Sequence, residues 1–236
     1  MSTIDKPEQT LPATANGEQD RSSTPEKPDK PTVHVKELAE RDRHRIERHF
    51  LALDDHDRYL RFGMRLNDEL ITQYVNQLDF SRDTIFGVYD SKFKLVGVGH
   101  LAFAPRDAYP DSVSATLKDR VAEFGVSVSA SARGLGVGSK LFERAAIHCR
   151  NADVDTLYMH CLSSNQVMIH IAKKAGMEIH RDHGEADAYL KLLPASPRTV
   201  FKEAMEEQVA SFDYAFKANA RAAVKWLGHL PRFKDD

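Results

Sequence analysis

Between Glu123 and Leu141 the chain reads EFGVSVSASARGLGVGSKL. Three alternating glycines, Gly134, Gly136 and Gly138, follow a β-branched run and precede an amphipathic pattern. Glycines let successive amides turn to one side with no Cβ in the way. A helix start adds unpaired N–H groups and a positive dipole end. Together they form a concave set of donors suited to a phosphate or pyrophosphate, here the amides of Arg133, Gly134, Leu135, Gly136, Val137, Gly138 and Ser139. A Walker loop ends Gly-Lys-Ser/Thr, whereas this one runs Gly138-Ser139-Lys140. The dinucleotide fingerprint needs a glycine three residues after its second, and that register holds Ser139. What remains is Arg-x-x-Gly-x-Gly: Arg133, Gly136, Gly138.

Few other groups can move a proton or form a covalent bond. Glu123 lies on the strand before the loop; its competing reading is a strand carboxylate paired with a cation. His100 and His160 titrate in a useful range, but each sits in an apolar strand, where hydrogen-bonded histidines serve structure. Cys161 is a nucleophile candidate whose stronger reading is core, and Cys149 is core. His44 and His49 miss the helical spacing of a metal pair, and His180 and His183 flank a turn, so no metal is expected. The basic run Arg41–Arg45 reads as a solvated helix face.

The elements that position these residues follow from periodicity. Thr32–Val35 alternates as a strand, and Asp42 reads as the N-cap of a helix with Ile46, Phe50 and Leu53 on one face. Helices follow around Tyr59–Phe62 and from Asn67. Thr84–Tyr89 and Leu95–Phe103 form an antiparallel hairpin, 105–118 is a polar loop, and Val121–Val128 is a strand. After the glycine turn come a helix, a strand at Thr156–Leu162, and a helix opened by Asn165 and ended by Gly176. A last hairpin turns around His183-Gly184. Ser196-Pro197 starts a long helix with Phe201, Met205, Val209, Phe212, Phe216, Ala220, Ala223 and Leu227 along one stripe. That stripe either packs on its own sheet or forms a subunit interface, the latter implying a homodimer. The expectation is an α/β fold: a central mixed, mostly antiparallel sheet of six to seven strands flanked by helices, plus the long C-terminal helix.

Lys plus Arg total 33 and Asp plus Glu 35, which gives no drive toward nucleic acid or an anionic membrane. No apolar run nears the roughly 20 residues a bilayer span needs, and the N-terminus carries no secretory h-region. Two cysteines fit a reducing, cytoplasmic setting. Residues 1–31 are rich in Pro and charge and hold no aromatic side chain, so they read as a disordered tail.

In this order of strands and helices, Arg133, Gly136 and Gly138 resemble the signature of the GNAT acetyltransferase superfamily over about residues 32–193. Asn165, Ala172, Lys174, Gly176 and Met177 are similar to the family's second motif. Arg58–Phe62 (RYLRF), Ala122–Phe124 (AEF) and Asn165 with Met168, Ile171 and Gly176 are also similar to the acetyltransferase domain of bacterial protein lysine acetyltransferases. The resemblance implies acetyl-CoA as cofactor. Main chain near Val126 and Val128 would bind the pantetheine, the amides of Arg133 to Ser139 the pyrophosphate, and Asn165 the pantetheine or the far arm of the cofactor. Many relatives carry a Tyr, as proton donor to the leaving thiolate, where this chain has Ala172; Tyr158 and Ser164 are the substitutes to locate, unless the thiolate leaves unassisted. In the lysine acetyltransferase subgroup that Tyr is also replaced, and the strand Glu, here Glu123, is the proposed base.

The expected reaction is direct attack of a primary amine, of a small molecule or a protein lysine, on the thioester. An amine of pKa near ~10 is mostly protonated at neutral pH, so a base is required. The rival is a non-catalytic acyl-CoA-binding regulatory module that kept the phosphate nest and lost its acid. The expected organisation is a tail at 1–31, an acetyltransferase domain at 32–194 and a helical extension at 195–236.

Overall fold

The structure, a computed structural model, describes residues 32–103 and 120–227, without side chains from 223 on. All of them belong to one compact unit, Pro31–Asp236. The tail expected at 1–31 and the loop expected at 105–118 lie outside the described residues.

Seven strands form one sheet: β1 (Lys36–Glu37), β2 (Thr84–Tyr89), β3 (Leu95–Phe103), β4 (Val121–Val128), β5 (Thr156–Leu162), β6 (Glu178–Asp182) and β7 (Glu185–Lys191). Their spatial order is β1-β2-β3-β4-β5-β7-β6. Every pairing is antiparallel except β4–β5. The helices are α1 (Arg43–Leu51), α2 (Asp55–Phe62), α3 (Asp68–Asn76), α4 (Val137–Asn151), α5 (Gln166–Lys174) and α6 (Pro197–Leu227).

Local chemistry sets the helix ends. Asp54 accepts from Asp57 N–H (2.8 Å) to start α2, and Asn67 accepts from Leu70 N–H (2.9 Å) to start α3. α6 starts as expected, with Ser196 Oγ accepting from Thr199 N–H at 3.2 Å. Asp42 behaves differently from a cap. A 3-10 turn, Glu40–Asp42, runs into α1, and the Asp42 carboxylate accepts instead from Ala39 N–H and the Tyr89 and Tyr214 hydroxyls. A buried carboxylate needs several donors, and those elements converge on it. The first strand also shifts. Val35 is buried, so its alternation reported burial, but the ladder forms one step later, Lys36 and Glu37 opposite Gly87 and Phe86.

Side-chain alternation divides the molecule into two cores. On one face Phe86, Leu101, Ala122, Phe124, Leu157 and Met159 pack under α4 and α5. On the other, Ile85, Leu95 and Val98 pack against Ile46, Phe50, Ile71 and Val75 of α1 and α3. In the β2–β3 hairpin Tyr89 pairs with Leu95 and Val88 with Gly97, so Val96 is the extra residue of a bulge that resets this alternation. At Gly97 a Cβ would lie 2.5 Å from Val137 Cγ1, so only glycine lets the first turn of α4 seat so closely on the sheet.

The apolar stripe of α6 does not pack on the sheet. Phe201, Phe212 and Phe216 face away from the body, while Met205 and Val209 are half-exposed at the edge of a cleft shared with Val33, Val35, Glu143 and Arg144. Docking runs through the opposite face, where Ala210 is buried and Tyr214 and Ala218 pack on the second core, and where Glu203 meets Arg144, His148 and Asn151, Glu207 meets Lys36, and Tyr214 meets Asp42 and Arg45. Of the two readings of the stripe, packing on its own sheet is therefore set aside, because the opposite face supplies the seat.

Candidate active site

The parallel pair β4–β5 is short. Val121, Ala122 and Glu123 pair with Thr156, Leu157 and Tyr158, and there the ladder stops. β4 runs on to Val128 paired only with β3, and β5 runs on to Leu162 paired only with β7. The two strands therefore open into a wedge beyond Glu123 and Tyr158, with one unpaired main-chain edge on each side. Val126 and Val128 lie along this edge of β4, their side chains packed toward α4.

The glycine turn follows directly. A single 3-10 turn, Ala130–Ala132, leads to Arg133. Gly134 and Gly136 then take φ of +75° and +81°, a region that costs an L-residue roughly 1–2 kcal/mol. A Cβ at either would meet nothing within 4 Å, so the requirement is conformational. Gly136 is the N-cap of α4 and, having no side chain, places no cap on the first amides. Gly134, Leu135 and Gly136 are exposed while Val137 anchors the turn in the core, so the N–H groups from Gly134 onward open to solvent at the mouth of the wedge, whereas the Arg133 N–H, expected among the phosphate donors, already donates to Ala130 O at 3.3 Å and closes the preceding turn.

α2 lies across this region and is fastened at three points. Arg133 of the turn forms an ion pair with Asp57. Asn165 Nδ2 lies 3.5 Å from Leu60 O. Arg61 sits over β4 so closely that a Cβ at Gly125 would fall 2.7 Å from its guanidinium carbon. That guanidinium bonds Tyr74 Oη (3.1 Å), is surrounded by the rings of Phe50, Phe62 and Tyr74, and has no carboxylate partner among the described residues. Asn165 is buried, and its Oδ1 caps α5 by accepting from Met168 N–H at 3.1 Å.

Glu123 is exposed and forms no hydrogen bond or ion pair among the described residues. By alternation it shares its face of β4 with Gly125 and Ser127, the face turned to α1 and α2. Across the parallel ladder it is level with Tyr158.

On that same face the strand register gathers a polar group from three strands. Tyr158 Oη donates to Asp187 Oδ1 (2.6 Å), and His160 Nδ1 is 2.8 Å from the same oxygen. Tyr189 pairs with Tyr158, their rings 5.1 Å apart. Hydrogen bonds from His160 and Tyr158 hold the Asp187 carboxyl below the usual carboxylate range. Burial and the Asp187 charge push the Tyr158 phenol far above its ordinary value, so it stays a phenol. Sequence reasoning named Tyr158 and His160 without placing them, and it missed Asp187 and the position of Arg61. Both depend on pairings between distant segments, and no local spacing encodes them.

The other candidates fall elsewhere. His100 is mostly buried, with Nδ1 at Tyr74 Oη (2.9 Å) and Nε2 at Asp83 Oδ2 (3.0 Å), so both ring nitrogens are occupied. Cys161 points to the opposite core, and burial raises its thiol, which disfavours the thiolate a covalent route requires. Cys149 is buried and pushed up to about 12. Ser164 is exposed beside the cap of α5. Ala172 is buried, with no polar side-chain atom to offer. Among the described residues no cluster of His, Cys, Asp and Glu could hold a metal, and no helix is long and apolar enough to cross a membrane.

The wedge, the glycine turn and the order of elements define the class as an N-acetyltransferase fold. The family described as Acetyltransferase (GNAT) family matches residues 28–177, and the chain belongs to that family. Sequence comparison with curated proteins gives no match. Among solved structures, the GNAT domain of S. lividans PAT is 21% identical, with a TM-score of 0.56 over 69% of this chain and 92% of that one. Spermidine N-acetyltransferase from Vibrio cholerae, solved in complex with CoA and spermine, is 17% identical with a TM-score of 0.51 over 67% and 95%. Arabidopsis thaliana NAA60, solved in complex with a bisubstrate analogue, is 14% identical with a TM-score of 0.51 over 70% and 100%.

Proposed function

We propose that this chain transfers an acetyl group from acetyl-CoA to a primary amine, with residues 32–194 as the catalytic unit and 195–236 as a helical extension. The cofactor's pantetheine would lie along the unpaired edge of β4 at Val126 and Val128. Its pyrophosphate would meet the amides of the turn from Gly134 to Ser139, and Asn165 would border the far side of the wedge. Family membership and the CoA-bound relative support this reading. The observation that carries it is the exposed Glu123 carboxylate, without a partner among the described residues, at the point where β4 and β5 part.

Glu123 is the group that takes the proton from the attacking ammonium, directly or through one water. The free amine then attacks the thioester carbon. As its oxygen becomes negative, an amide near Val126–Val128 and the fixed charge of Arg61, about 7 Å along the strand from Glu123, lie on the side where charge develops. Collapse of the adduct expels the thiolate, and the remaining surplus proton on the nitrogen passes to water. With Ala172 in place of the family tyrosine and Tyr158 tied to Asp187, no side chain on this face is a strong proton donor. A thiol of pKa ~8.5 leaves tolerably as the anion and takes its proton from water. The acceptor class left open is a small amine or a protein lysine.

The test measures thiol release from acetyl-CoA over a panel of small amines and lysine peptides, with CoA affinity followed by calorimetry. Glu123→Gln should lower kcat/KM by about 10²–10⁴-fold and leave affinity within about twofold. Equal turnover in the variant would exclude Glu123 as the base. The missing acid at Ala172 favours a second reading, a non-catalytic acyl-CoA-binding module; tight binding with no turnover on any acceptor would establish it.

A further inference from the structure

The outward stripe of α6 is the largest feature of the described surface that the proposed reaction leaves without a role. Phe201 is 68% exposed, Met205 48%, Val209 44%, Phe212 74% and Phe216 74%. A full aromatic side chain covers about 150–250 Å², so the three phenylalanines alone expose on the order of 300–550 Å². With Met205 and Val209 the stripe matches or exceeds the ~300–600 Å² of the largest apolar patch on a typical monomer. The neighbouring exposed positions Ala204, Gln208 and Ala215 are uncharged. Several charges of this helix are directed inward, Glu203 to Arg144 and His148, Glu207 to Lys36 and Lys217 to Tyr89 O, while Lys202 pairs with Glu143 and Glu206 and Arg198 is exposed one turn before Phe201.

The spacing of the stripe identifies what covers it. Four of its large side chains are placed symmetrically, Phe201 with Phe216 and, four residues inside them, Met205 with Phe212, while Val209 matches Gln208. Its midpoint falls between Gln208 and Val209. A twofold axis through that midpoint, with the two helices antiparallel, sets Phe201 against Phe216 of the second copy, Met205 against Phe212, and Val209 beside Gln208. An isologous interface requires this self-complementarity. The chain's own tail is a poor occupant, since residues 1–31 hold only Met1, Ile4 and Leu11 as large apolar side chains. Two such stripes bury on the order of 1,000 Å² together, the size at which a specific interface becomes credible.

We propose that α6 is a dimerisation helix, pairing antiparallel with α6 of a second copy about an axis between Gln208 and Val209. The opposite face holds the helix on its own body, and the apolar face is reserved for the partner.

Sedimentation equilibrium of the full chain from about 1 to 100 μM should show a monomer–dimer equilibrium. Phe212→Glu places two charges in the interface and should weaken it at least ~100-fold. Met205→Gln is a milder second variant, expected to weaken it about tenfold. Both residues are solvent-exposed in one copy, so circular dichroism should be unchanged. Disulfide trapping tests the geometry. Gln208→Cys should cross-link on oxidation, whereas Ala204→Cys residues would lie about 13 Å apart along the axis and should not. The native Cys149 and Cys161 are buried and do not compete. A monomer at every concentration, a dimer indifferent to Phe212→Glu, or equal cross-linking at 204 and 208 would each overturn the proposal.

Discussion

The glycine turn makes a prediction that separates backbone conformation from bulk. Gly136 has φ of +81° and empty space where its Cβ would be. Gly136→Val therefore meets no clash. The cost is conformational, roughly 1–2 kcal/mol for any L-residue there, with a β-branched side chain at the upper end. If the turn holds, that cost appears as lost stability, about 2–4 °C of Tm per kcal/mol for a chain of this size. If the turn relaxes, φ returns to negative values, and the amides of Val137, Gly138 and Ser139 lose their common aim. CoA affinity should then fall at least ~10-fold, the equivalent of 1.4 kcal/mol. Asn tolerates this backbone region far better than Val, so Gly136→Asn should keep most of the affinity despite a comparable volume. Titration calorimetry with CoA, paired with thermal unfolding of the free protein, reads both quantities. Equal affinity and equal Tm for wild type and Gly136→Val would refute the reasoning, and so would equal losses for Val and Asn, since that would mean bulk and not conformation matters.

Three further outcomes follow from other parts of the structure. Burial lowers His49 to about 4 from an ordinary 6.5, and its ring bonds Ser127 Oγ (2.7 Å) and lies 3.2 Å from Leu95 O. The unfolded chain takes up that proton first, so stability is fully present above about 6.5 and falls as pH drops toward 4. His49→Leu should flatten that slope and lower stability at neutral pH by about 1–3 kcal/mol through the orphaned Ser127 hydroxyl, as read by urea unfolding at several pH values. Glu203 is held at about 2 despite the opposing effect of its burial, through bonds from His148, Asn151 and Arg144. Its stabilisation is present above about 4.5 and is lost as pH falls toward 2, and Glu203→Gln should cost about 3 kcal/mol by stranding the buried Arg144 while removing that acid limb. Tyr158→Phe should change kcat by less than about threefold if the thiolate leaves unassisted; a loss beyond the ~10² expected of a general acid would return Tyr158 to the chemistry.

What was legible in the sequence shares one property: the signal and its cause lie within a few residues. The hairpin strands at Thr84–Tyr89 and Leu95–Phe103, β4, β5 and the glycine turn were readable because alternation and turn chemistry are local. Asp42 looked like a cap because its residue type and position were right; that Tyr89 and Tyr214 compete for its oxygens depends on packing across 47 and 172 residues. Which face seats α6 stayed open for a related reason. Periodicity finds an apolar face, but a helix can be fastened by its opposite face when the body offers a buried Arg144. Around the wedge, Glu123 was found because it adjoins the turn, whereas Asp187 entered only through the β5–β7 register.

That register argument also explains how one strand can serve both substrates. Along β4, Ala122, Phe124, Val126 and Val128 turn toward α4, while Glu123, Gly125 and Ser127 turn toward α1 and α2. The first set packs the wedge against the helix whose amides would hold the pyrophosphate. The second set presents a carboxylate, a guanidinium seated over glycine and a buried hydroxyl to the opposite side, where an amine would approach. A slip of one residue would exchange the two sets, burying Glu123 under α4 and turning Phe124 toward the acceptor. The residues that forbid the slip are the ones with no catalytic part: Phe124, whose ring meets Phe142 at 5.6 Å, and Ser127, held by His49. Weakening either contact should therefore lower turnover and stability together, whereas Glu123→Gln should lower turnover alone.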